Sequence, residues 1–185
     1  MLKSDSGPVH IIGAGGLGRD LVACFGKHVS FAAFWDDQSK EKSISGIPFG
    51  GTVGDLLSVQ DPVRFVIAVG NPAVREKLWQ RLLGSHHTPA LLIHPEARLF
   101  DTGTISAGAG TILFPQSLLT TGIAIGENTV IHAGCSLHHD TRIGSHCVIM
   151  PHVVMAGNVT TGNGVYVSPG KTFFFGEVIG DEVRV

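Results

Sequence analysis

The run His138-His139-Asp140 places a carboxylate directly beside a side chain that changes its protonation state near neutrality. A histidine of ordinary pKa, ~6.5, accepts a proton at pH 7, and an adjacent carboxylate fixes its tautomer and raises its basicity. General-base chemistry is one reading of these residues, and a solvated histidine pair at a turn is the other. Gly157 follows His139 by eighteen residues. If the chain coils with that period, the two lie one strand spacing apart, ~4.8 Å. A backbone N–H with no side chain over it, next to a base, suits a carbonyl that becomes an oxyanion.

A second constellation lies near the N-terminus. Gly13-Ala14-Gly15-Gly16-Leu17-Gly18 fits G-x-G-x-x-G, in which glycines let the backbone approach a pyrophosphate at the free N–H groups of a helix start. Asp36 and Asp37 follow Gly18 by eighteen and nineteen residues, near where an acid reaches a ribose or base. Gly70-Asn71 ends another apolar run and can line the same crevice. Arg19 and Arg75 are candidate phosphate partners or solvated helix charges. A tight turn without ligand, an NAD site and a mononucleotide-sized site all remain open. The last is favoured, because only some ninety residues precede a different pattern, too few for a dinucleotide fold with its own substrate domain.

These residues need elements to hold them. Val9 to Gly13, Val29 to Trp35, Arg64 to Gly70 and Ala90 to Ile93 read as buried strands, with helices over Leu17 to Phe25 and from Pro72 to Leu83. The second helix is expected to present Val74, Leu78 and Leu82 on one face. Gln38 to Val53 reads as a loop with at most one short strand. The alternation predicts a parallel sheet covered by helices.

Beyond it the period becomes six. Every sixth residue from Ala107 to Val185 is apolar except Thr161, and four residues after each, from Thr111 to Val165, lies a small or β-branched side chain. Gly108, Gly126, Gly144, Gly162 and Gly180 recur every eighteen residues, which suggests a corner needing positive φ. The pattern predicts a parallel β-helix of roughly four turns. His132, His138, His139, His146 and His152 avoid both inward classes, so they should face outward or sit at corners. Their spacings include no close H-x4-H pair, and no metal is expected.

Composition excludes several classes. The 185 residues include 25 glycines, are 43% hydrophobic and 15% charged, and carry a net charge of −2, which argues against disorder and against a nucleic-acid partner. No apolar run reaches 18 residues and Met1 to Pro8 is polar, so neither membrane insertion nor a signal peptide is expected, and a cytoplasmic location is. Cys24, Cys135 and Cys147 form no CxxC pair and no even disulfide framework.

Taken in order, GAGGLG, FWDD, IAVGN with a following Arg, LIHP, the hexads, HHD-x-x-IG and AGNV resemble a family. It is the bacterial sugar acetyltransferases of PglD-like (UDP-4-amino-sugar N-acetyltransferase) and NeuD-like (sialic acid O-acetyltransferase) type. The resemblance implies a Rossmann-like parallel α/β domain over residues 1–94 that binds a nucleotide sugar, then a left-handed parallel β-helix acyltransferase domain over 95–185. It further implies acetyl transfer from acetyl-CoA in a homotrimer whose active sites lie between subunits. His139 falls on the family's general base, Asp140 on its acidic neighbour and Gly157 on the glycine that contacts the thioester carbonyl. Gly13, Gly15, Gly16, Leu17, Gly18, Asp36, Asp37 and Gly70 fall on the nucleotide-sugar site. Leu17 stands where many relatives carry histidine, and Val148 where a second histidine often contacts the cofactor. Relatives usually continue for another coil and a tail beyond the position of Val185, and Lys171, Phe174, Phe175 and Glu177 already break the hexad pattern. N-acetylation of a nucleotide-linked amino sugar is the leading expectation. Sugar O-acetylation, and a non-catalytic nucleotide-sugar-binding scaffold with a truncated CoA site, are the alternatives.

Overall fold

The computed structural model describes residues 7–39 and 41–185. Most of the polar Met1 to Pro8 stretch, and Lys40 within the expected 38–53 loop, lie outside the described residues.

The first unit is built on a sheet whose central strands are almost wholly buried. β1 (Val9–Ile12) lies between β2 (Phe31–Trp35) and β5 (Arg64–Ile67), parallel to both. β3 (Ser43–Ile44) and β4 (Ile47–Gly51) extend one edge and β6 (Thr88–Pro89) the other, giving the order β3-β4-β2-β1-β5-β6. The segment expected to be a loop with at most one strand is therefore two strands and a helix. Ser45 and Gly46 both take positive φ, 50° and 81°, which closes a tight β3–β4 hairpin. A reciprocal capping box between Thr52 and Asp55 then starts α2 (Val53–Leu57).

Helix α1 (Gly16–Phe25) begins directly on the glycine loop, with Gly15 as its N-cap. In α3 (Pro72–Leu83), Asn71 Oδ1 accepts from Val74 N at 3.2 Å and Pro72 occupies the first turn, where its missing N–H costs nothing. The buried side of α3 is Arg75, Trp79 and Leu82, not the expected Val74, Leu78 and Leu82 face. Val74 is 42% exposed. The apolar stripe was displaced because an arginine occupies the core position, for reasons given below.

The second unit is a three-sided prism of fifteen two-residue strands, in three five-stranded parallel faces. The first face runs from Leu92–Ile93 to Tyr166–Val167, the second from Arg98–Leu99 to Thr172–Phe173, and the third from Ser106–Ala107 to Val178–Ile179. Leu113, Leu119, Ile131, Leu137, Ile149 and Met155 are fully buried along its axis, as are Thr111, Ser117, Cys135, Thr141 and Cys147 of the second class. Five coils are present rather than roughly four. The additional one was hidden by its length: Leu92 pairs with Ile112 and Arg98 with Leu118, twenty residues on, whereas later partners such as Ser106 and Ala124 are eighteen apart. Two extra residues between Leu99 and Ser106 break the hexad register. The strand expected over Ala90 to Ile93 is divided accordingly, with Thr88–Pro89 in the first sheet and Leu92–Ile93 starting the prism.

The glycines spaced by eighteen are not at positive φ. A Cβ at Gly126 would stand 2.5 Å from Ser145 N, and one at Gly108 2.5 Å from Glu127 N, so the residue is needed where successive coils touch. Positive φ falls two residues later, at Gly110, Asn128, His146, Gly164 and Glu182.

The α/β unit docks on the first face. Ile112, Phe114 and Val130 project from that face into one apolar cluster with Val9, Ile11, Leu21, Phe25 and Phe34.

Candidate active site

The C-terminal ends of β1, β2 and β5 open into a cleft of about 420 Å³. Gly13, Gly15, Gly16, Leu17, Asp36, Asp37 and Gly70 all line it. Gly15, Gly16 and Gly70 have nothing within 4 Å of where a Cβ would project, so the backbone there is open to a ligand. Gly18 is not part of the wall. A side chain on it would meet Gly13 O at 2.5 Å and the Phe34 ring at 2.9 Å, so its absence lets α1 pack on the sheet. Trp35, Val53, Val69, Val74 and Leu78 complete the cleft. Sequence reading missed them because apolar side chains at strand ends (Trp35, Val69) and on helices (Val53, Val74, Leu78) look like core.

Both acidic residues have structural work in this cleft. Asp36 Oδ2 accepts from Ala14 N at 2.7 Å, tying β2 to the glycine loop, while its Oδ1 accepts from Gln38 N and Ser39 N. Asp37 Oδ1 accepts from Val53 N at 2.8 Å at the start of α2, and Oδ2 meets Arg81 at 3.3 Å. Of the two arginines considered for phosphate, Arg19 is solvent-exposed on α1. Arg75 is fully buried and unavailable to a ligand. Its guanidinium donates to the carbonyls of Ile67, Val69 and Asn128 and to Asn128 Oδ1, joining α3 to a prism corner.

The histidine–acid pair occupies the turn between the second-face strand Ser136–Leu137 and the third-face strand Arg142–Ile143. In a three-sided prism this corner is opposite the first face, on which the α/β unit sits. Asp140 adopts φ 62°, and its Oδ2 is 3.0 Å from His139 Nδ1. That contact engages Nδ1, and among the described residues Nε2 has no hydrogen-bond partner. The His139 side chain is 53% exposed. Gly157 sits one coil on, with Asn158 N donating to His139 O at 2.8 Å. A Cβ on Gly157 would collide with the imidazole, closest to Nε2. The coil thus brings together the three residues whose spacing suggested it.

Val148, expected to face a cofactor, is instead fully buried in the first face, stacked between Val130 and Tyr166, and offers this chain no ligand surface. Two of the five prism histidines are also covered by docking. His132 stacks on Phe114 at 4.8 Å, and His146 Nδ1 lies 3.0 Å from Asn128 Nδ2 and packs against Trp79. Among the described residues, no group of three or more His, Cys, Asp or Glu side chains is placed to hold a metal ion, and no helix is long and apolar enough to cross a membrane.

Burial holds His10, His132 and His146 below the ordinary histidine value of 6.5. In each the neutral form is favoured in the folded chain. The unfolded chain therefore binds more protons below about pH 6.5, and the stability these residues support, present above that pH, is lost as pH falls. Thermal melts between pH 8 and 5 are expected to show a midpoint that declines from about pH 6.5 downward. In His146→Gln the decline should be shallower, and an equal decline in that variant would remove His146 as a contributor.

Hexads coiled into a parallel prism, behind a glycine-loop α/β unit, are the architecture of hexapeptide-repeat transferases. Comparison with known proteins agrees. Residues 8–82 match the PglD N-terminal domain, and residues 122–157 match the bacterial transferase hexapeptide model of six repeats. The chain is 24% identical over 173 residues to the GDP-perosamine N-acetyltransferase of Escherichia coli O157:H7, covering 86% of this chain and 77% of that one. It is 32% identical over 103 residues to the bifunctional protein GlmU of Geotalea uraniireducens, covering 50% of this chain but 22% of that one. Among solved structures, PerB from Caulobacter crescentus, in complex with CoA and GDP-perosamine, superposes with a TM-score of 0.76 at 25% identity, covering 100% of this chain and 91% of that one. Together these matches support the PglD/NeuD-like family of hexapeptide-repeat acetyltransferases.

Proposed function

We propose that this chain transfers the acetyl group of acetyl-CoA to the amino group of a nucleotide-linked amino sugar, with His139 as general base. The observation that carries the assignment is the His139–Asp140 pair, whose free Nε2 faces the bare backbone of Gly157. Among the described residues Gly157 N–H donates to no acceptor, which leaves it free for a carbonyl oxygen. The neutral sugar amine attacks the thioester carbon. As the N–C bond forms, His139 Nε2 takes the amine proton and Gly157 N–H stabilises the oxyanion. The C–S bond then breaks, and the proton passes to the departing CoA thiolate. Asp140 holds Nδ1–H throughout, stabilising the imidazolium.

The α/β unit, read as a Rossmann-like domain over residues 1–94, would hold the nucleotide diphosphate at Gly15 and Gly16. The coil, expected over 95–185 and beginning at Leu92, is read as left-handed on its resemblance to the hexapeptide-repeat family, against the right-handed rule for ordinary crossover connections. Because His139 lies on the corner opposite the docked face, the prism stands between this chain's cleft and this chain's base. That arrangement supports a homotrimer in which one subunit's cleft serves another's base. Activated sugars and acetyl-CoA are cytoplasmic metabolites, which supports that location.

The test is incubation of the purified chain with acetyl-CoA and GDP-perosamine, or UDP-4-amino sugars, reading released thiol. Thiol release that requires the amino sugar is expected. Release with sialic acid but with no amino sugar would move the assignment to O-acetylation. Failure of acetyl-CoA to bind in calorimetry would favour the scaffold reading.

A further inference from the structure

The corner that carries His139 and Gly157 continues, eighteen residues on, to Phe175. His139 and Phe175 are two coils apart, so their backbones are separated by roughly twice the ~4.8 Å strand spacing. Their ring centroids are nevertheless only 6.2 Å apart, with the planes inclined by 43°. The rings meet across Gly157, where any side chain would occupy the intervening space.

Phe175 has no role in the core. Its coil is held by Phe173 and Ile179, both buried, while Phe175 is 69% exposed beside the equally exposed Phe174 and Val178. A phenylalanine left in solvent while a histidine two coils away touches it is poorly explained by stability alone.

We infer that Phe175 sets the acyl-group preference of the enzyme and helps to position the His139 ring. The inference rests on the reading that the thioester carbonyl lies at Gly157. With its oxygen on Gly157 N–H and its carbon open to an amine delivered at His139, the acyl substituent points away from His139 along the corner. Phe175 is the next side chain there. The acyl methyl group then abuts the Phe175 ring, and each added methylene must displace that ring. Discrimination of one methylene by an apolar wall is about 10–200-fold.

The experiment compares kcat/KM for acetyl-, propionyl- and butyryl-CoA in the wild-type chain, Phe175→Leu and Phe175→Ala. Wild type should prefer acetyl over butyryl by about tenfold or more. Phe175→Ala should reduce that preference by about tenfold, chiefly through a lower KM for butyryl-CoA, with Phe175→Leu between the two. If Phe175 also positions the His139 ring, Phe175→Ala should lower kcat for acetyl transfer with little change in the KM for acetyl-CoA, and Phe175→Leu should recover part of that kcat. An unchanged acyl ratio in a Phe175→Ala protein that still transfers acetyl overturns this inference and leaves the function standing. A wild-type chain that transfers no acyl group overturns both.

Discussion

His139→Ala is expected to lower kcat by about 10²–10⁴-fold, the contribution of a positioned general base, while nucleotide-sugar binding in the α/β cleft is unchanged. The two effects separate because the site is in two places. His139 stands on the corner opposite the docked face, and none of the cleft residues lies on that turn. Structural damage is not expected to confuse the result. The side chain is 53% exposed, and among the described residues its one side-chain hydrogen bond is to the exposed Asp140, an interaction of little stability value. Thiol release under saturating acetyl-CoA and amino sugar measures kcat, and calorimetry measures sugar binding. Turnover equal to wild type would remove His139 as the base.

Arg75→Ala is expected to cost roughly 3–5 kcal/mol of stability, from unsatisfied buried acceptors and an interior void together. Burial of this guanidinium without a carboxylate pushes its pKa down to about 9, which still leaves it charged at neutral pH. Carbonyl oxygens balance it: Asn128 O at 2.7 and 3.1 Å, Asn128 Oδ1 at 2.7 Å and Val69 O at 3.1 Å, together with Ile67 O. Removing the side chain orphans acceptors in both units at once. Denaturant unfolding should show the loss, with the α/β unit melting ahead of the prism. Arg75→Lys is not expected to rescue it, because a single ammonium cannot span acceptors on α3's sheet and on the prism corner. A loss below about 1 kcal/mol would show that apolar docking around Ile112, Phe114 and Val130 suffices.

Arg75 also marks where sequence reasoning stops. An arginine four residues after a glycine-asparagine turn looks the same whether it meets a phosphate or a carbonyl fifty-three residues away, since hydrogen-bond partners in another unit leave no local spacing. Val148 carries the same lesson. Its position in the hexad marks it as outward-facing, and only docking of the α/β unit turns that outward face into an interior one.

Most of the prism was legible from residue types. A period of six is imposed by the stacking itself, because each inward position repeats its environment, so Leu113 to Ile179 declare the axis without reference to anything else. The same arithmetic placed Gly157 over His139, and continued once more it reaches Phe175. The first coil escaped only because two inserted residues shifted its register.

The sequence by itself determined the coil, the glycine loop and the contact of His139, Asp140 and Gly157, since each depends on a repeat or on neighbours along one segment. Tertiary structure alone decided that Asp36 and Asp37 hold backbone N–H groups, that Arg75 and His146 belong to a buried joint, and that His139 stands on the corner opposite the docked unit. Those outcomes depend on how two units with different periods meet, and surface complementarity between distant segments has no period to read.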